Sequence, residues 1–225
     1  QKHRRYEKMG LRDLCQHVHE MYAKYDIARL TTDMYLSELQ PAMTPTDAFA
    51  QIARKNTDRV AIDDLRQLFD SPLPAAPVLL DAGCGQGKSF KHLQRVFAPG
   101  RLIGIDADPH SLQLSGAEAT RQGLTVELQG SDCAQLQLAD ASVDIVFCHQ
   151  TFHHLVEQEQ ALAEFWRVLK PGGYLLFAES TEAYIDTWVI RWLFRHPMHV
   201  QKSAEGYLQM LRAQGFAFTA RNVSY

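Results

Sequence analysis

The chain has 225 residues, 46% of them apolar and 22% charged, which suits one well-cored domain with an appendage. A formal net charge of −3 excludes a general electrostatic pull toward nucleic acid or an anionic bilayer. The one basic cluster, Lys2, Arg4, Arg5 and Lys8, is short and terminal and reads as a solvated end.

Residues 1–70 read as a helical cap or lid. Leu11, Leu14, Val18, Met21, Tyr22 and Tyr25 recur at spacings of three and four. Pro41 and Pro45 break the pattern, after which Thr46 or Asp47 caps a helix to about Arg54, and residues 63–69 carry another short helical pattern. Three prolines within residues 71–77 forbid a helix interior and set a boundary. From residue 78 the pattern changes. Short apolar runs at 78–82, 102–105, 125–128, 143–148 and 174–178 alternate with helical stretches at 89–97, 111–122 and 157–169. That alternation predicts an α/β domain over 78–225, an open and mostly parallel sheet with helices on both faces. An insertion at 181–200 holds an apolar helix candidate over 183–194, stopped by Pro197. A helix over 204–213 ends at Gly215, and 216–220 reads as a sixth strand. Cys15, Cys84, Cys133 and Cys148 form no C-x-x-C pair, so neither a disulfide framework nor a zinc site is expected, and a reducing cytoplasm fits. No apolar run is long enough to span a bilayer.

The sharpest feature joins the first of these strands to a helix: Asp81-Ala82-Gly83-Cys84-Gly85-Gln86-Gly87-Lys88-Ser89. Glycine is needed where the backbone takes positive φ or where a ligand lies on the main chain. In an open α/β sheet, ligands sit at the carboxyl ends of the strands. A dinucleotide fingerprint would need glycine where Lys88 stands. A phosphate loop would need glycine where Ala82 stands, and a magnesium-binding Asp at the end of a partner strand, but residues 143–149 end in Cys148-His149. A tight turn with no ligand is the plain alternative.

The turn resembles the first motif of class I S-adenosylmethionine-dependent methyltransferases, an acidic residue followed by alternating glycines. The resemblance continues in order along the chain. Asp106 ends the second strand, 19 residues beyond Gly87, a distance that separately suits an acid on ribose hydroxyls. Gly130-Ser131-Asp132-Cys133 follows the third strand, Asp140-Ala141-Ser142-Val143-Asp144 opens the fourth, His153-His154-Leu155 follows it, and Leu169-Lys170-Pro171-Gly172-Gly173 precedes the fifth. The likeness covers residues 78 to about 214. It implies a Rossmann-like domain with S-adenosylmethionine as cofactor and a small-molecule methyl acceptor, with neither nucleic acid nor a membrane span as partner. Carried onto this sequence, it implies cofactor contacts at Asp81, Gly83, Cys84, Gly85, Asp106, Ala107, Asp132, Cys133 and His149. Asp106 would hold the ribose, Asp132 the adenine amino group and the Cys133 N–H the purine ring, with His149 beside the methionine part. Asp108 reads instead as the cap of a helix starting at Pro109.

His149, His153 and His154 cluster past a strand end, but no carboxylate or cysteine joins them at a recognisable ligand spacing, so no metal is expected. His149 is also the candidate general base. Tyr22, Tyr25, His153, Tyr184, Trp188 and Trp192 are candidates for the acceptor site, with Phe194 and His196 beside them. Tyr22 and Tyr25 could close over the sulfonium by cation–π attraction; the alternative is that these aromatics only pack the extra helices. The family's sheet ends in a hairpin of a sixth and a seventh strand, and this chain stops at Tyr225, just after the expected sixth. The strand-four end lacks the N-P-P-Y type motif that resembles enzymes methylating adenine or glutamine nitrogen. Two other readings stand beside methyl transfer: a non-catalytic binder of S-adenosylmethionine or S-adenosylhomocysteine, and a phosphate-loop nucleotidase.

Overall fold

A computed structural model describes residues 62–69, 72–186 and 197–223. Expectations placed on residues 1–61 and 187–196, including those for Tyr22, Tyr25, Trp188, Trp192, Phe194 and His196, lie outside the described residues.

The strands are β1 (Val78–Ala82), β2 (Arg101–Asp106), β3 (Glu127–Gly130), β4 (Val143–His149) and β5 (Leu169–Ala178). They form one sheet in the order β3-β2-β1-β4-β5, and every neighbouring pair is parallel. Three helices lie in the connections: α1 (Phe90–Phe97), α2 (Pro109–Gln122) and α3 (Gln158–Val168). After β5 come α4 (Glu182–Ile185) and α5 (Ala204–Gln214). The chain winds outward from β1 in both directions. The point where strand order reverses lies between β1 and β4, and a crevice opens there at the carboxyl ends.

The central strands β1, β2 and β4 are mostly apolar because both faces of the sheet are covered there. Alternate side chains go to opposite faces. Leu80, Ala82, Ile103, Ile105, Val146 and Cys148 pack on Leu162 and Phe165 of α3 and Leu211 of α5. Leu79, Leu102, Ile145 and Phe147 pack on Phe90, Leu93 and Phe97 of α1. Ile62 and Leu65, from a helical stretch at residues 62–67, join this second layer. Each such buried side chain contributes roughly 1.5–3 kcal/mol. The short helical pattern read at 63–69 is thus part of the sheet's own cover.

Local signals place several boundaries. Asp108 caps α2, accepting from His110 N and Ser111 N, with Pro109 at the first helical position. Gly215, at φ 111°, ends α5 in the left-handed region. Other expectations are corrected. Pairing with β2 carries β3 to Gly130, with Asp106 opposite Gly130, two residues beyond the apolar run at 125–128. β5 begins at Leu169 and not at Tyr174, because Leu169 pairs with Val143 before the register shifts and Tyr174 pairs with Ile145. The Lys170-Pro171-Gly172-Gly173 segment is therefore an irregularity inside a strand, not a turn ahead of it. The expected sixth strand at 216–220 is absent, and among the described residues the sheet has five strands. Past Gly215 the chain turns back onto the helices. Phe216 packs edge-on against Trp166 of α3 at 4.9 Å, and Arg212 of α5 lies 4.7 Å from the Phe218 ring. Thr219 then caps a short 3-10 turn at Ala220–Asn222. Of the helix expected at 183–194, only the first turn, α4, falls among the described residues. None of the described helices is long and apolar enough to cross a membrane.

Candidate cofactor site

β1 delivers the chain into the crevice, and the glycines that follow shape it. Gly83 N and Cys84 N both donate to Ile105 O, at 2.8 and 2.9 Å, and so lash the turn to β2. Gly83 has φ 78°, and a Cβ there would overlap the side chain of Thr151. Only glycine meets both constraints. At Gly85 (φ 51°) a Cβ would meet nothing within 4 Å, so the main chain there borders open space. Beneath the turn, Asp81 is 3% exposed and accepts from the Ser89 hydroxyl.

Asp106 ends the neighbouring strand, and its carboxylate does two things at once. Oδ2 accepts from Gly85 N at 2.8 Å, and Oδ1 accepts from Asp108 N at 2.9 Å. Each oxygen keeps a second lone-pair direction for another donor. Ala107 is exposed beside it. Ser131 N donates to Asp106 O at 3.2 Å, which ties the end of β3 to that of β2. The next residue, Asp132, is exposed, and its Oδ1 accepts from Ala134 N at 2.8 Å in an Asx-type turn. Cys133 is buried. His149 ends β4, half-buried, with its ring 5.8 Å from that of Phe147. Every described cofactor candidate therefore lies at or just past the carboxyl end of β1, β2, β3 or β4 in the parallel sheet. Gly83 and Cys84 are tied to β2 through Ile105 O, and Gly85 through the Asp106 side chain.

Burial disfavours the thiolate form of the three cysteines there. Burial pushes the Cys84 thiol far above its ordinary range, and Asp81 and Asp106 push it further. Cys133 is pushed up to about 12 by burial and the Asp132 charge. Cys148 is raised by burial and by Glu179. Neutral buried thiols behave as small apolar walls.

His153, read as an acceptor-site candidate, is 3% exposed, and its Nδ1 lies 2.6 Å from Glu179 Oε2. Tyr184, in α4, is 37% exposed. Glu179 was not among the residues singled out from the sequence. The signal that marked Asp106, an acid directly ending an apolar strand, would have found it. Among the described residues, no three His, Cys, Asp or Glu side chains are grouped to hold a metal ion.

The donor set fits S-adenosylmethionine. The bare main chain at Gly85 leaves room for a ligand, and Asp106 can accept from vicinal hydroxyls. Asp132 presents an exposed carboxylate to an amino group, and the cation and zwitterion of the methionine end need no phosphate-binding lysine. Residues 80–177 match the family model described as a methyltransferase domain. Human thiol S-methyltransferase is 36% identical over 118 residues, which are 51% of this chain and 47% of that protein. Malonyl-acyl-carrier-protein O-methyltransferase of Methylococcus capsulatus is 32% identical over 154 residues, 64% of this chain and 53% of that protein. A solved S-adenosylmethionine-dependent methyltransferase from Aquifex aeolicus superposes with a TM-score of 0.59 at 23% identity, covering 72% of this chain and 83% of that one. That likeness shows the fold. The chain spans about half the length of the curated relatives it matches.

Proposed function

We propose that this chain, which matches the methyltransferase-domain family over residues 80–177, is a class I S-adenosylmethionine-dependent methyltransferase that moves a methyl group to a small-molecule acceptor. The observation that carries the reading is the pairing of open space at Gly85 with the Asp106 carboxylate, which accepts from the Gly85 N–H.

S-adenosylmethionine, when bound, supplies an electrophilic methyl group on a sulfonium whose leaving group is a neutral thioether. The protein therefore needs no acid to protonate a leaving group. Its work is to bind, align and exclude water. The main chain at Gly83 and Gly85 would receive the methionine end, Asp106 the ribose, and Asp132 with the Cys133 N–H the adenine. The neutral thiols of Cys84 and Cys133 make dry walls. His149, at the end of β4, faces the task of orienting the acceptor and taking its proton. The human relative is named for a thiol acceptor and the Methylococcus relative for an oxygen acceptor on a carrier protein. A thiol acceptor loses a proton on methylation, and an imidazole can serve as the base that takes it.

The test joins titration calorimetry with S-adenosylhomocysteine to incubation of methyl-labelled cofactor with thiol and carboxylic acceptors. Saturable binding and label in a small product are expected. Binding without label in any product would favour the non-catalytic binder. Lys88→Ala is expected to leave S-adenosylhomocysteine affinity unchanged. Magnesium-dependent ATP binding abolished by that change would instead establish the phosphate loop.

A further inference from the structure

The residue that follows β5 is Glu179, and its side chain is 1% exposed. A buried carboxylate is costly unless donors fill its lone pairs. Here four do. Oε1 accepts from Thr151 N at 2.9 Å, from Phe152 N at 2.8 Å and from the Cys148 thiol at 3.6 Å. Oε2 accepts from His153 Nδ1 at 2.6 Å. All four donors belong to residues 148–153, the end of β4 and the turn beyond it. The turn's carbonyls are held as well: Gln158 Nε2 donates to Phe152 O at 3.1 Å, and Gln201 Nε2 to His153 O at 2.8 Å.

This turn needs such holding. Gln150 sits at φ 53°, a left-handed conformation that non-glycine residues keep only where their surroundings enforce it. Its N–H donates to Ala178 O at 3.0 Å, and the Ser180 hydroxyl donates to its side-chain Oε1 at 2.7 Å. β5 and the two residues after it thus fix the path of the chain as it leaves β4.

What the pinned turn presents to β1 is Thr151. Its hydroxyl lies 3.1 Å from Gly83 O and 3.2 Å from His149 O, and donates to one of them at a time. Its side chain fills the space that a Cβ on Gly83 would need. Resting on the cofactor reading above, we infer that Glu179 and Thr151 are positioning residues that hold the first glycine of the cradle in its binding shape across β4. Glu179 fixes Thr151, Thr151 fixes Gly83, and neither needs to touch the ligand.

The test compares wild type with Thr151→Val, Thr151→Ser and Glu179→Gln, reading S-adenosylhomocysteine affinity by calorimetry and melting by circular dichroism. Valine keeps the shape and removes the hydroxyl. It is expected to weaken binding by about five-fold or more while the melting temperature moves by less than about 3 °C. Serine returns the donor and is expected to restore affinity to within about two-fold. Glutamine keeps an oxygen for the two backbone N–H groups and is expected to hold most of the affinity, which guards against a Glu179 variant that fails to fold. Equal affinity in Thr151→Val and wild type overturns the inference and leaves the methyltransferase reading standing. A loss that serine does not restore assigns the effect to packing and overturns the hydroxyl link. No binding by wild type overturns both.

Discussion

Gly83→Ala and Gly85→Ala are expected to damage different properties, although only one residue separates them. Both glycines have positive φ, 78° and 51°, so each alanine costs about 1–2 kcal/mol for the left-handed backbone. At Gly85 nothing lies within 4 Å of the new methyl group, and the backbone term is the whole stability effect. At Gly83 the methyl overlaps Thr151, which cannot retreat because Glu179 holds its backbone. Overpacking of that kind adds about 1–3 kcal/mol. In a folded unit running from Asp58 to Tyr225, each kcal/mol moves the melting temperature by about 2–4 °C. Gly85→Ala should therefore melt about 2–8 °C below wild type, and Gly83→Ala about 4–20 °C below. Binding is expected to separate them in the other direction. The methyl at Gly85 projects into the space assigned to the ligand and should weaken S-adenosylhomocysteine binding by about ten-fold, or 1.4 kcal/mol. Thermal melts and titration calorimetry on the two variants decide the matter. Wild-type affinity in Gly85→Ala would refute the placement of the ligand on that main chain. Equal melting of the two variants would refute the role given to Thr151.

Asp106→Ala is expected to weaken S-adenosylhomocysteine binding by about 1–3 kcal/mol, because it orphans the Gly85 N–H and removes the ribose acceptor; a calorimetric loss under two-fold would remove the ribose assignment. In a Cys15→Ser background, Cys84, Cys133 and Cys148 should resist a thiol-specific disulfide reagent at pH 8 until the protein unfolds, since burial keeps all three protonated; rapid labelling of the native protein would contradict their placement. Arg121 lowers the Glu118 carboxyl from 4.5 to about 2 against the opposing effect of burial. A depressed folded value stabilises fully above the ordinary value and loses that contribution as pH falls through about 2. Because Arg121 is 70% exposed, solvent screening limits the effect, and Glu118→Gln should destabilise by less than about 1 kcal/mol at pH 7. Urea melts at pH 7 and near pH 2 should show that difference shrinking, and a difference that grows in acid would reverse the sign argued here.

The geometry at the carboxyl ends of β1 and β2 was legible because its grammar is local. A buried strand, a glycine turn and an acid at the end of the next strand all fall within residues 78–106, and the helix stops at Asp108 and Gly215 are set by single residues. The parts that escaped depend on contacts far apart in sequence. Phe216 and Phe218 have an alternating pattern that suits a strand, yet aromatic and cationic neighbours on α3 and α5 satisfy them equally well. β5 begins early because Val143 offers Leu169 a partner, and no local pattern reveals a partner. Glu179 has its donors 26 to 31 residues back in the chain, and Thr151 meets Gly83 across 68 residues. His153 follows a strand end, and its buried partner, Glu179, stands 26 residues further along the chain.

Strand order then sets how each element can act on the cradle. β1 has two neighbours, β2 and β4. β2 reaches the glycines directly through Asp106, β4 reaches them through Thr151 in the turn that follows it, and the Glu179 that follows β5 acts only through the end of β4 and that turn. In-line methyl transfer draws its rate from alignment, so a residue two strands away can matter without touching a reacting atom. Its influence should still fade along that route. Measured as loss of S-adenosylhomocysteine affinity, Asp106→Ala should exceed Thr151→Val, and Thr151→Val should exceed Glu179→Gln. A Glu179→Gln effect larger than that of Asp106→Ala, with melting unchanged, would mean that the turn after β4 meets the ligand itself and does not merely brace the glycine that does.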